Sequence, residues 1–363
     1  MVVSTYRDLL LPDQASIWRE LRGLRVRPPG AASNDPNRAS TFQSSLEQAQ
    51  QFMAAAEGAG YATRPLQLFY ALSQGGRAIA AVSKFLPVEI LVPDKQNDGA
   101  MKAHDVPWQL KGHGITAPHT SVNRVDKIII QAGWTGLMPG VALALGVECL
   151  RPDEKIKIGD IWPALPESSS VPLATQSDRR ALSIASVTRW ARDLPNCNKI
   201  LIGNIPWSVR LHCREDQLKV KDFLSHYPSL ADCEYPYENH EPMGWEPAPS
   251  NLAVAPVFWG KAGEEFPDLL QATRESKGIR YRGKEDWWIF PRIGGMTSPL
   301  HPIMAWWAVL FALSMMARYE PASWSKLIGI DRSMDANAIE HILDQALRVI
   351  PVLILEAITG LIR

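Results

Sequence analysis

Twenty of the 28 prolines in this 363-residue chain fall between Pro87 and Pro299. Proline removes a backbone donor and halts helices, so a stretch this rich in it folds as strands, short helices and loops. The flanks are proline-poor and carry helical periodicity. The expectation is an α+β protein with an N-terminal helical region (1–86), a mixed strand and loop region (87–298) and a C-terminal helical region (299–363). The two helical regions pack together as a mostly helical core.

Phe42, Leu46, Ala49, Met53 and Ala56 share one helix face, with Ser40 or Thr41 placed as cap and Gly58 or Gly60 as terminator. A second helix is predicted from Thr63 toward Phe85, with Pro65 in its first turn. Gly75-Gly76 lies inside it. Adjacent glycines cost about 1 kcal/mol each against alanine, so they signal a kink or the close approach of another backbone. Strands are predicted at Lys127–Gln131, Lys199–Ile202, Val209–Cys213, Leu252–Phe258 and Trp287–Phe290, with a short helix over Gln217–Tyr227.

Ser298-Pro299 reads as a cap and first-turn proline, opening a helix that is apolar all round to Tyr319, where Pro321 stops it. Ile339, Ile342, Leu343, Ala346, Leu347 and Ile350 mark the apolar face of a last helix. Asn337 and Glu340 suit a capping box, Asp344 and Arg348 an i,i+4 pair, and Pro351 a kink.

The 38 basic and 38 acidic side chains balance, which argues against strong nucleic-acid binding. Cys149, Cys197, Cys213 and Cys233 lie far apart with no C-x-x-C pair, the pattern of reduced thiols in a cytoplasmic protein. Met1–Leu11 lacks the apolar core of an export signal. Pro299–Ala317 runs 19 residues without a formal charge. It contains two prolines and is densely apolar only from Met304, so it reads first as a buried helix rather than a bilayer span of about 20 apolar residues, with membrane contact by the C-terminal helices as a further reading.

Catalytic signatures are sparse. Gly112-His113-Gly114-Ile115-Thr116-Ala117 has the letters of a dinucleotide fingerprint, but a short polar stretch precedes it and Pro118 interrupts the helix it needs. No G-x-x-x-x-G-K-[ST] loop, G-x-S-x-G elbow or H-E-x-x-H helix occurs. Two sets, His104, His113 and His119 with Asp105, and His212, Cys213, His226 and Cys233, hold metal-ligand residue types without zinc spacing. No metal or cofactor is expected. Asp268, Glu275 and Lys277 match the letters of a magnesium-dependent nuclease, the enzymatic alternative. Five of the 13 tryptophans, Trp287, Trp288, Trp306, Trp307 and Trp324, crowd into 38 residues. They fit a large aromatic core first and a partner-binding surface second.

Three stretches together resemble the bacterial YaaC-like family: Arg64-Pro65-Leu66-Gln67-Leu68-Phe69-Tyr70-Ala71-Leu72; Gly112-His113-Gly114-Ile115; and Ala312–Pro321 with Trp324 and Ile350–Leu355. The resemblance implies no established catalytic chemistry. Some such proteins are the infection sensors of two-gene anti-phage systems of the Juk type, beside a separate effector. It therefore implies a non-catalytic cytoplasmic sensor or adaptor that recognises a phage-derived component and acts with an effector protein, with self-association left open. The candidate binding residues are Arg64, Tyr70, His113, Trp306, Arg318, Tyr319, Glu320 and Trp324, aromatic and charged anchors of a desolvated patch. The charges at Arg318 and Glu320 have Arg64 and Lys326 as available ion-pair partners.

Overall fold

The computed structural model describes residues 13–94, 97, 99–119, 122–190, 197–206, 208–209, 222–234, 237–238, 241–242, 246–248, 252–260, 276–281 and 287–362. Helix α1 (Gln14–Val26) is followed by α2 (Pro36–Gly58). Asp35 caps α2, its carboxylate accepting from the backbone N–H groups of Asn37 and Arg38. The helix therefore starts before the Ser40 or Thr41 cap expected. Its predicted face, Phe42 through Ala56, is buried.

Helix α3 (Arg64–Val82) follows, with Pro65 in its first turn and Thr63 at its cap position. The glycine pair is explained by side chains rather than by another backbone. A Cβ at Gly76 would stand 2.6 Å from the Trp307 ring, and one at Gly75 would collide with Ile354. Both partners belong to C-terminal helices, so the pair is where the two ends of the chain meet.

Those helices are α5 (Pro302–Tyr319), α6 (Pro321–Leu327) and α7 (Ala336–Leu361), after a short α4 (Leu137–Leu145). The cap of α5 is His301, whose Nδ1 accepts from the Ile303 N–H at 3.3 Å. The expected Ser298 cap instead donates its backbone N–H to Glu148 at 2.7 Å. Helix α5 is the one described helix long and apolar enough to cross a membrane, and 78% of it is buried within the fold, against α3, α4, α6 and α7. At α7 the capping box does not form. Asp335 holds the cap position, but its carboxylate accepts from Ala174, and Asp344 pairs with Arg64 rather than Arg348. Pro351 lies inside the helix, which continues to Leu361.

Strands occupy the middle. β1 (Val88–Pro93) and β2 (Met101–Val106) form a hairpin, and β3 (Ile115–His119), β4 (Ile129–Ala132) and β5 (Ile156–Lys157) a small antiparallel sheet. The larger sheet contains β6 (Leu182–Trp190), β7 (Cys197–Pro206), β8 (Cys233–Glu234), β11 (Glu246–Ala248), β12 (Leu252–Gly260), β13 (Ile279–Arg280) and β14 (Trp287–Ile289). It is antiparallel in the order β11-β12-β7-β6-β14-β13, with β8 also on β12. A separate two-residue pair joins β9 (Tyr237–Glu238) to β10 (Glu241–Pro242). Of the predicted Val209–Cys213 strand, Val209 is helical and 210–213 lies outside the described residues; of the Gln217–Tyr227 helix, 222–225 is helical and 217–221 lies outside.

The main core joins helices α1 to α7 to the small sheet and to Trp162 and Trp288. A smaller core, including Leu182, Ile200, Ile202, Phe223 and Tyr227, lies against the large sheet.

Candidate functional site

The glycine loop at residues 112–114 is built by backbone contact. Gly112 and Gly114 have φ of 69° and 68°, and their loop receives the first N–H groups of α4: Leu137 donates to the Gly112 carbonyl and Met138 to that of His113, both at 3.0 Å. Gly136, at φ 118°, comes so close that a Cβ there would stand 2.6 Å from the Gly114 nitrogen. Only residues without a side chain pass each other at this distance. Strand β3 follows the loop, and the α4 donors are spent on it, so it is not a dinucleotide cradle.

The loop sets the His113 imidazole against two rings, Phe69 of α3 at 5.4 Å and Phe311 of α5 at 6.0 Å. The next residue on α3, Tyr70, stacks on Phe52 of α2 at 5.4 Å. Arg318, at the end of α5, donates from Nη1 to the Tyr70 hydroxyl at 3.3 Å, and its guanidinium lies 5.0 Å over the Tyr319 ring, which is 59% exposed. Tyr70, His113, Arg318 and Tyr319 thus come together from three distant parts of the chain. Phe52, Phe69 and Phe311 complete the cluster and were not foreseen; all are ordinary core or helix-face residues in sequence.

The electrostatics of this face are one-sided. The His113 pKa lies below its ordinary value because of burial and then the positive charges of Arg318 and Arg77. Arg77, half-buried on α3, has its own pKa lowered by desolvation, with no carboxylate offsetting it. Among the described residues, neither Arg77 nor Arg318 has an ion pair.

The family model described as YaaC-like protein matches residues 25–358. The chain belongs to the YaaC-like family. No curated protein and no solved structure matches it. The matched span contains every residue of the Tyr70–His113–Arg318 cluster.

The remaining candidates in this YaaC-like chain do structural work. Arg64 donates from Nε to the Ala56 and Ala59 carbonyls at 3.1 and 3.0 Å, pairs with Asp344 and lies 4.5 Å over the Tyr61 ring. It ties the α2–α3 connection to α7, so neither it nor Lys326 is an ion-pair partner of Glu320. Glu320 joins α5 to α6 through its backbone, donating to Met316 and accepting from Trp324. Trp306 is 0% exposed and donates to the Tyr281 hydroxyl at 2.9 Å, and that hydroxyl bonds buried Glu167. Trp324 is 2% exposed and donates to the Ala62 carbonyl at 3.1 Å. A partner reaches neither indole without unpacking the fold, which corrects their place among the binding anchors.

His104 lies on β2 and His113 in the glycine loop, while the His119 side chain, His212 and Cys213 lie outside the described residues. Among the described residues no three His, Cys, Asp or Glu side chains gather to hold a metal ion. Asp268 and Glu275 also lie outside, and Lys277 is buried and paired with Asp232. Burial pushes the Cys149 thiol up to about 12, which leaves it unreactive. Two open grooves, of about 550 and 440 Å³, are lined by Arg124, Lys326 and Arg332 in one case and by Lys84, His301 and Leu353 in the other. Neither includes a predicted binding residue.

Proposed function

We propose that this YaaC-like protein is a non-catalytic sensor or adaptor of anti-phage defence, acting in the cytoplasm. It recognises an infection-derived component and signals through a separate effector protein, as in Juk-type systems. The observation that carries the reading is the gathering of Tyr70, His113 and Arg318 on one face, backed by Phe52, Phe69 and Phe311. Rings and arginines around a partly desolvated centre are the usual composition of a binding hot spot. His113 rests on the Phe69 and Phe311 rings, an arrangement suited to holding a partner.

The test is phage plating on cells carrying the chain with its partner gene, comparing wild type with Tyr70→Ala and Arg318→Ala. Both variants should melt like the wild type and restore phage plating to the undefended level. Full defence by either folded variant, or metal-dependent cleavage of nucleic acid by the pure protein, would overturn the reading.

A further inference from the structure

We infer that the groove of about 550 Å³ beside α6 is a binding site for a small molecule carrying a diphosphate-class anion, held by Arg124, Lys326 and Arg332. The groove shares no residue with the Tyr70–His113–Arg318 cluster, so the inference goes beyond the function proposed above and stands apart from it. Its wall is assembled from the turn before β4, which supplies Arg124, from Ala174, and from α6 with the turn that enters α7, which supply Lys326 and Arg332. Arg124 Nε is held by the Asp126 carboxylate at 2.8 Å. Its Nη2 is buried and has no hydrogen-bond partner among the described residues. A buried guanidinium nitrogen left unbonded lowers stability, and an acceptor entering the groove would offset that cost.

The other charges around the groove are unequal. Lys326 and Arg332 are exposed, so a ligand can reach them, and neither has an ion pair among the described residues. The carboxylate in the wall, Asp335, is 2% exposed and committed to the fold, accepting from the Ala174 N–H at 3.0 Å. That commitment leaves α7 without a side-chain cap, although Asp335 holds its cap position. The positive end of the dipole of a 26-residue helix therefore lies at the same wall. The Ser333 hydroxyl accepts from the Asp335 N–H at 3.2 Å and keeps its own proton to donate. Two guanidinium forks, an ammonium and a helix end match the several oxygens and charges of a diphosphate better than a single carboxylate. The volume lies within the range of about 300–1,000 Å³ usual for small-molecule sites, larger than the anion alone needs. The remainder of the ligand has Val122 and Leu327 as its apolar wall.

Isothermal titration calorimetry with pyrophosphate, adenosine diphosphate, adenosine and acetate tests this on the full chain. Pyrophosphate and the nucleotide should bind, the nucleotide more tightly if the apolar wall holds an organic body and equally if the free anion is the ligand. Adenosine and acetate should not bind. Lys326→Met and Arg332→Met change exposed side chains and should each weaken pyrophosphate binding by about tenfold, while Lys84→Met, in the other groove, leaves it unchanged. Arg124→Lys keeps a charge for Asp126 and removes the unbonded nitrogen, and should weaken binding to a similar extent. Pyrophosphate should also raise the melting temperature of the wild type, and raise it less in each of the three variants, a linkage that a merely structural role for these side chains would not produce.

Absence of heat and of any melting shift with both phosphorylated probes would overturn the proposal. So would acetate or adenosine binding as tightly as pyrophosphate, or unchanged affinity in both Lys326→Met and Arg332→Met. If those two variants weaken binding and Arg124→Lys, melting like the wild type, does not, the site loses Arg124 and the inference as stated fails.

Discussion

His301 shows how much one residue can carry. Its ring caps α5 only while Nδ1 is free to accept, and burial lowers its pKa from 6.5 to about 4. Between those values the unfolded chain binds the proton and the folded chain does not, so the unfolded state holds more protons and stability rises with pH. The contribution is complete above about pH 6.5 and is lost as the pH falls toward 4, by on the order of 2–3 kcal/mol. His301→Asn, able to cap without titrating, should flatten that slope in urea denaturation measured across this range; parallel slopes would refute the assignment. Asn204 is a second case. Its φ of 68° lies in the left-handed region, and its Nδ2 donates to the Ala181 carbonyl at 2.6 Å and the Ser169 hydroxyl at 2.8 Å. Asn204→Ala adds backbone strain and removes both bonds, an expected loss of about 2–3 kcal/mol, whereas Asn204→Gly should recover the backbone share alone. Urea midpoints of the two variants separate the terms.

Among the helices the same substitution should act with opposite signs. At Gly76 a methyl group would press on the Trp307 ring at 2.6 Å and on Val141 at 2.9 Å. Crowding of this kind costs about 1–3 kcal/mol, more than the gain of about 1 kcal/mol in helix propensity, so Gly76→Ala should lower the melting temperature. Gly23 on α1 has nothing within 4 Å of that position, and Gly23→Ala should raise it. A calorimetric scan of both variants checks the pair. Apolar spacing marked the bodies of α2, α3, α5 and α7, because a buried face must repeat with the helix turn. The caps were less legible. Asp35 and His301 do the capping where serine or threonine was expected, and Asp335, well placed beside α7, is diverted to Ala174, a contact made across the fold.

For the molecule as a whole, protection should follow burial. Helix α5, sheathed by other helices, should exchange its amide hydrogens only on global unfolding, while β2, five of whose six residues are exposed, should exchange by local opening. Hydrogen exchange with mass spectrometry reads both, and equal protection would contradict the nested arrangement. Proline distribution and apolar periodicity were enough to divide helices from strands and to assign the clustered tryptophans first to a core, where Trp288, Trp306, Trp307 and Trp324 lie buried and Trp287 half-buried. These are local properties, set by backbone chemistry and by the exclusion of apolar surface from water. The proposed recognition face is different in kind. Phe52, Tyr70, His113 and Arg318 lie far apart along the chain, and nothing in the identity of any one of them reveals that it joins the others. That depends on which side chains are near it in space, so only the packing of α3 against α5 and the glycine loop decided it.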